Sequence, residues 1–232
     1  MSLTALPSHV DGLLLDLDGT LVDTEHLHYE STNTVLAGYG KHLSTADFMP
    51  FIGWSERPFW DALRARFALA PSVAELAAER SRVLVVLLRQ SKLEPLPGVI
   101  DLLRWALAHG VPCAIASSSL RVQIEASVQG SGIAGFVKDW ASGYDDVTRG
   151  KPFPDVYIEA ARRIGVDPRR CLAIEDSATG IASAKAAGAF VVAVPCVSHP
   201  DLSLGEADLR LSSIIELLPL LAATRGPGGL TP

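Results

Sequence analysis

Residues 13–25 read LLLDLDGTLVDTE. Leu13, Leu14, Leu15 and Leu17 form an apolar run of the kind that fills a strand buried on both faces. Asp16 and Asp18 stand where that strand should end. Residues i and i+2 of a strand point to the same face. Two carboxylates would therefore converge at the mouth of the core, and they would repel unless something positive sat between them.

Outward from this stretch the hydrophobic period changes twice. Residues 10–17 read as a buried strand, and from about 25 to 92 the period is helical. Ser72 and Glu75 make a capping-box pattern ahead of Leu76, Ala77, Val83, Leu84, Leu87 and Leu88. A second helix is predicted after Ser55, with Pro58 in its first turn and Phe59, Trp60, Leu63 and Phe67 on its apolar face. A third runs from about Glu25 to Ala37 and stops near Gly38 and Gly40. After Leu96-Pro97-Gly98, strands and helices alternate. The predicted strands are 111–118, a short piece at Phe136 and Val137, 171–176, 190–194 and an edge piece at 208–211. Helices are predicted at 100–109, 120–129, 154–164 and 177–187. Such alternation implies right-handed crossovers and a parallel sheet covered on both faces. The fold class is α/β, a Rossmann-like parallel sheet core with an inserted helical domain. The core takes residues 1–23 and 94–232, and the helical insert takes 24–93.

In open parallel sheets, ligands bind beyond the carboxyl ends of the strands. Asp16 and Asp18, Ser117, Ser118 and Ser119, and Glu175 and Asp176 all fall at such ends. Carboxylates crowded in one crevice need a counter-charge, and a hard divalent cation such as Mg²⁺ suits an all-oxygen ligand set. Lys151, in the loop GKPFPD, adds a positive point charge on a backbone stiffened by two prolines. The serines offer hydroxyl and N–H donors to phosphate oxygens. Phosphoryl transfer relies chiefly on positioning and charge stabilisation, which this set can supply. A carboxylate can itself be the nucleophile, and a second can protonate the leaving oxygen and then activate water.

The bulk properties agree with a small-molecule enzyme. The chain has 232 residues, 48% of them apolar, with a net charge of −6. That leaves no basic stripe for non-specific nucleic-acid binding. Cys113, Cys171 and Cys196 fall in or after apolar runs and are read as buried thiols, without zinc spacing. No apolar run approaches the ~18 residues of a membrane span, and the N-terminus lacks a signal pattern. The expected setting is cytoplasmic, the expected partner a small phosphorylated metabolite rather than nucleic acid or membrane, and the expected state a monomer or weak dimer. The stretch from Thr224 to Pro232, rich in Gly and Pro, is expected to fray.

The D16-L-D18-G-T stretch resembles the signature of the haloacid dehalogenase-like phosphohydrolases, and three further motifs of that family follow in order. Ser117 closes a strand, Lys151 stands in G-K-P-x-P-D, and Glu175-Asp176 stands in E-D-S-x-x-G. The helical insert is similar to the cap of the subgroup that contains β-phosphoglucomutase and sugar-phosphate phosphatases. The resemblance implies a Mg²⁺-dependent phosphatase of a small phosphorylated metabolite, with a sugar phosphate as the expected substrate, that works through an aspartyl-phosphate on Asp16. Asp18 is implied as general acid/base with its backbone carbonyl on Mg²⁺, Ser117 as a phosphoryl-holding group, and Lys151 as phosphate ligand and counter-charge to Asp16. Asp16, Glu175 and Asp176 are implied as metal ligands, and Gly19 as the turn toward the cap. Thr24 and His28 match hinge positions of β-phosphoglucomutase and are expected near substrate. Asp23 is expected to cap the first helix. In the cap segment F51-I-G-W-S-E-R57, Trp54, Glu56 and Arg57 are specificity candidates, and Ser118 is a further substrate-binding candidate, as are the hydroxyls beside it. The mutase has an arginine three residues after the glycine of this segment. Glu56 stands there instead, with Arg57 next, and a carboxylate facing phosphate would repel it.

Three other readings compete. A β-phosphoglucomutase-type mutase would share every core residue, and Glu56 speaks against it. A true dehalogenase would not need Asp18. A non-enzymatic phospho-accepting module would not need a cap or an acid/base partner for its aspartate.

Overall fold

The computed structural model describes residues 6–52, 54, 56–196 and 204–222. A six-stranded sheet forms the core, in the order β3-β2-β1-β4-β5-β6. The strands are β1 (Gly12–Leu15), β2 (Cys113–Ser117), β3 (Asp139–Ser142), β4 (Cys171–Glu175), β5 (Phe190–Ala193) and β6 (Leu209–Arg210). All ladders are parallel. Leu15 lies beside Ile115 on one flank and Ile174 on the other. The chain order thus reverses between β1 and its neighbour β4, which opens a crevice beyond the end of β1.

The alternation of side chains along β1 sorts the two faces. Leu13, Leu15 and Leu17 pack with Ile115, Ile174 and Val192 against helices α5 (Val99–Ala108) and α6 (Arg121–Gly130). Leu14 faces the other way, with Ala114, Ala116, Ala141, Ala173 and Ala193, against α7 (Asp155–Ile164) and α8 (Ala178–Ala187). The small residues on that face let α7 and α8 lie close to the sheet, and α7 supplies Ala160 and Ala161 to the contact.

Between β1 and β2 the chain is helical. Helices α1 (Glu25–Gly38), α2 (Thr45–Phe48), α3 (Glu56–Phe67) and α4 (Val73–Gln90) enclose a second cluster around Leu36, Leu43, Phe59, Trp60, Leu63 and Leu76. The capping box at Ser72 and Glu75 is formed, with Ser72 N–H donating to Glu75 Oε2 at 2.8 Å. A third, smaller cluster ties this helical region to the core through Leu27, Leu84, Leu88, Leu93 and Ala126. The last helix, α9 (Leu217–Leu221), packs Leu217 and Leu221 under the sheet.

Three local expectations change. Phe136 and Val137 precede a strand that begins at Asp139, because their side chains plug the edge of the core rather than alternate. The N-cap of α1 is Thr24, without a side-chain capping bond, rather than Asp23. The short helix α2, capped by Ser44, was not anticipated, being a single turn. Residues 224–232 lie outside the described residues.

Candidate active site

The carboxyl ends of β1, β2 and β4 bring the predicted residues together. One pocket is lined by Asp16, Asp18, Ser117, Ser118, Ser119, Lys151 and Asp176 from the core, with Glu25, Ile52 and Trp54 from the helical region. Asp16 follows β1 directly, and its N–H donates to the Ile174 carbonyl of β4 at 3.0 Å. That bond continues the ladder by one residue and fixes where the carboxylate emerges. Gly19, at φ 85°, turns the chain out of the sheet, and a Cβ there would lie 2.2 Å from Asp176 Oδ2. Only glycine allows both the left-handed conformation and that approach.

Lys151 is buried and faces two carboxylates. Its Nζ donates to Asp16 Oδ1 at 2.5 Å and also to Glu175 Oε1. Burial opposes its charge, but Asp16 and Glu175 win, and its pKa is raised. Asp16 shows the opposite balance. Burial pushes its carboxyl up to about 7, against the pull of Lys151 and with the push of Glu175. Burial and the neighbouring charge of Asp16 likewise raise Asp176 well above the carboxylate range.

Glu175 is fully buried and engaged on both oxygens. Oε1 accepts from Lys151 and from the Tyr157 hydroxyl at 2.7 Å. Oε2 accepts from the Asp176 and Ser177 N–H groups at 3.1 and 3.2 Å and from Ser177 Oγ at 3.0 Å. The carboxylate also rests on Gly180, where a Cβ would sit 1.8 Å from Oε1. Glu175 thus orients Lys151 and the turn into α8. Burial, together with the Glu175 charge, raises the Tyr157 pKa well above its usual value and keeps the hydroxyl a donor.

Asp18 points to the other side of the pocket. Thr24 Oγ1 donates to its Oδ1 at 2.6 Å and Ser119 Oγ to its Oδ2 at 2.8 Å, while Ser117 Oγ lies at 3.4 Å. Burial alone would raise this carboxyl, but facing His28, with the hydrogen bonds from Thr24 and Ser119, holds it down at about 2. Thr24 is fully buried and His28 stands 3.7 Å from Asp18 Oδ1, so both are placed behind the carboxylate. Behind His28 stands Arg80 of α4, which donates to His28 Nδ1 at 2.6 Å and to Glu56 Oε2 at 2.6 Å. Arginine can only donate, so Nδ1 accepts and the imidazole proton sits on Nε2, toward Asp18. The other Glu56 oxygen accepts from Trp60 Nε1 at 2.9 Å. The charge of Glu56 is therefore met inside the helical region, which removes the repulsion its sequence position suggested.

Trp54 overhangs the pocket and is half exposed, whereas Arg57 lines a neighbouring cleft instead. Sequence reasoning gave no role to Arg80, Tyr157 or Gly180. Arg80 had a signal: it lies four residues from both Leu76 and Leu84, on the apolar stripe of α4. Gly180 had one as well, as the closing glycine of E-D-S-x-x-G, whereas Tyr157 had none, since only contact with Glu175 marks it.

The carboxylates suit a hard cation. Asp16, Glu175 and Asp176 each bring an oxygen within 4.8 Å of the others, all three are buried, and burial holds two of them toward the neutral form. A divalent ion would relieve that mutual repulsion. With both Glu175 oxygens occupied by donors, Asp16 and Asp176 are the better-placed pair. The Asp18 carboxylate is turned away toward Thr24 and Ser119.

A family model for haloacid dehalogenase-like hydrolases matches residues 10–188. The bifunctional riboflavin kinase/FMN phosphatase of Arabidopsis thaliana is 32% identical over 211 residues, covering 88% of this chain. The chain spans about half, 54%, of that protein's length. The fructose-1-phosphate phosphatase YqaB of Escherichia coli K12 is 33% identical over 187 residues, 79% of this chain and 95% of that protein. The crystal structure of CbbY from Rhodobacter sphaeroides in complex with phosphate superposes with a TM-score of 0.80 at 27% identity, covering 95% of this chain and 99% of that one.

Proposed function

Since the chain belongs to the haloacid dehalogenase-like hydrolases, we propose that it is a Mg²⁺-dependent phosphatase of small phosphorylated metabolites, acting through an aspartyl-phosphate on Asp16. One observation carries the reading: a buried lysine on Asp16, a hydrogen-bonded second carboxylate at Asp18 and a serine loop share one pocket at the sheet's switch point. The similarity to a fructose-1-phosphate phosphatase supports a phosphosugar moiety in the substrate.

In this mechanism the phosphoryl group lies against Ser117, the Ser118 backbone and Lys151. Asp16 attacks phosphorus, with Lys151 at 2.5 Å stabilising its ionised form. Asp16, Asp176 and the Asp18 backbone carbonyl would hold Mg²⁺, which would supply charge neutralisation for the phosphoryl oxygens. A phosphate dianion beside Asp18 favours the protonated form of that carboxyl. Asp18 then protonates the leaving oxygen, and afterwards takes a proton from the water that hydrolyses the aspartyl-phosphate. Thr24 and Ser119 fix the Asp18 carboxylate for both steps. Residues 24–93 act as the cap, and Ile52 and Trp54 exclude bulk water when it closes.

The mutase alternative calls for a cation where Glu56 stands, and Glu56 is the counter-ion of Arg80. The three cysteines are buried and none forms a disulfide, which supports a reducing, cytoplasmic setting. No described helix is long and apolar enough to cross a membrane. The test is Asp16→Asn, assayed by phosphate release from p-nitrophenyl phosphate. The variant should fold as the parent does and lose turnover; near-parental rates in a folded variant would remove Asp16 as nucleophile.

A further inference from the structure

A second cleft adjoins the catalytic pocket and shares Ser118 and Lys151 with it. Its far side is made by Glu56 and Arg57 at the start of α3, and its near side by the segment from Gly143 to Phe153. A group bonded to the phosphate at Ser118 and Lys151 can pass directly into it. The mechanism above uses none of its other residues.

The lining of this cleft includes aromatic and cationic side chains. Tyr144 and Phe153 are 50% and 48% exposed, which leaves large apolar surfaces facing water beside the site. Arg149 lies over the Phe153 ring at 4.7 Å and is held there by two hydrogen bonds to Asp155, at 2.8 and 3.1 Å. Among the described residues, the Arg57 side chain makes no hydrogen bond or ion pair, although it is exposed at the mouth. Gly143 and Gly150 run backbone to backbone: a Cβ on Gly143 would lie 3.2 Å from the Ser117 carbonyl, and one on Gly150 would lie 3.2 Å from the Gly143 carbonyl. Two positions of the cleft lining, then, carry no side chain.

The backbone that carries Tyr144 is also held in place. The buried Ser142 hydroxyl donates to the Ser119 carbonyl at 2.7 Å and accepts from the Tyr144 and Asp145 N–H groups at 3.2 and 3.0 Å. Tyr144 is thereby tied to the same serine loop that meets the phosphate. Fixing the backbone that carries an aromatic side chain lowers the cost of binding a ligand against it.

We propose that this cleft is the leaving-group subsite and that it takes a planar heteroaromatic ring, so that the substrate is a phosphomonoester of a ring-bearing alcohol such as a nucleoside. This deepens the phosphatase reading and rests on it. Tyr144 and the Arg149–Phe153 pair provide stacking faces, and Arg57 meets the carbonyl or anionic oxygens on the ring's rim. A plain sugar phosphate would leave Tyr144 and Phe153 uncovered.

Adenosine 5′-monophosphate and ribose 5-phosphate share the phosphoribose and differ in the base. The kcat/KM for the nucleotide should exceed that for ribose 5-phosphate by about tenfold or more, the scale of one stacked base. Tyr144→Ala and Tyr144→Leu should each lower the nucleotide value by about that factor and leave the ribose 5-phosphate value unchanged. Equal values for the two substrates, or equal losses on both in a folded variant, would overturn the assignment. Calorimetric binding of adenosine 5′-monophosphate to Asp16→Asn separates the two claims. Binding that Tyr144→Leu weakens, with no turnover of any phosphomonoester by the parent, would sink the phosphatase reading and keep the cleft. Turnover of ribose 5-phosphate with no tighter binding of the nucleotide would do the reverse.

Discussion

Gly180→Ala tests the whole Glu175 network with one methyl group. Gly180 sits in the first turn of α8, where alanine is the better helix former by about 1 kcal/mol. Propensity alone predicts a more stable protein. The structure predicts the reverse, because the added Cβ would lie 1.8, 2.0 and 2.2 Å from Oε1, Cδ and Oε2 of Glu175. Contacts under 3.0 Å are essentially never tolerated, so the carboxylate must move by about 1 Å or more. It cannot move freely, being fully buried and held by Lys151, Tyr157, Ser177 and the Asp176 N–H. Disrupting a buried charge pair costs about 3 kcal/mol or more. Set against the helix gain, the net loss is about 2 kcal/mol, or about 4–8 °C in Tm for a chain of this size. Catalysis should suffer more than stability. Lys151 is positioned by Glu175, and a misplacement of about 1 Å can cost about 100-fold in rate. Thermal unfolding by circular dichroism and steady-state phosphate release measure the two effects. A variant with a raised Tm and parental kcat would refute the reasoning, since it would show that Glu175 can leave its place without consequence.

Other outcomes follow from the same contacts. Arg80→Met should destabilise the protein by about 3–5 kcal/mol in urea unfolding, because Glu56 would be left buried without its counter-ion; the double variant with Glu56→Gln should recover part of that loss, and strict additivity would argue against the pair. Mg²⁺ at about 100 times its Kd should stabilise the folded state by about 2.7 kcal/mol, read as a rise in Tm that EDTA reverses and that Asp176→Asn abolishes; an unchanged Tm in the parent would count against the metal site. Lowering the pH should remove the contribution of Glu159, whose carboxyl is held down from 4.5 to about 2 by Arg162, against partial burial, and by Arg163. A depressed folded-state pKa stabilises above the unfolded value and is lost as pH falls toward the folded one, so the loss should span about pH 4.5 to 2, and Glu159→Gln should flatten that part of the pH–Tm curve.

Much of this molecule was readable in one dimension because its signals are local. The apolar run ending in Asp16 and Asp18, the Gly and Pro punctuation, and the Ser72–Glu75 capping box report on neighbours in the chain, and the structure forms each of them. The parallel sheet followed from the alternation of strands and helices, since crossover connections of that length leave few other arrangements. The strand-end rule then collected Asp16, Asp18, Ser117, Ser118, Ser119 and Asp176, and they line one pocket with Lys151 of the GKPFPD loop.

What escaped was everything set by contact between distant segments. The sequence showed Glu56 as a bare carboxylate beneath a phosphate. Its charge is met by Arg80, 24 residues away on another helix. Thr24 and His28 looked like substrate contacts from their place near the hinge, and the fold puts them behind Asp18, where they hold its carboxylate. Glu175 read as one more metal ligand, yet its oxygens are taken by Lys151, Tyr157 and the turn into α8. By itself the sequence determined where each carboxylate leaves its strand, because backbone alternation and strand ends are properties of short segments. Only the tertiary structure decided which donor each carboxylate meets, because a buried charge is defined by the partners that packing brings to it.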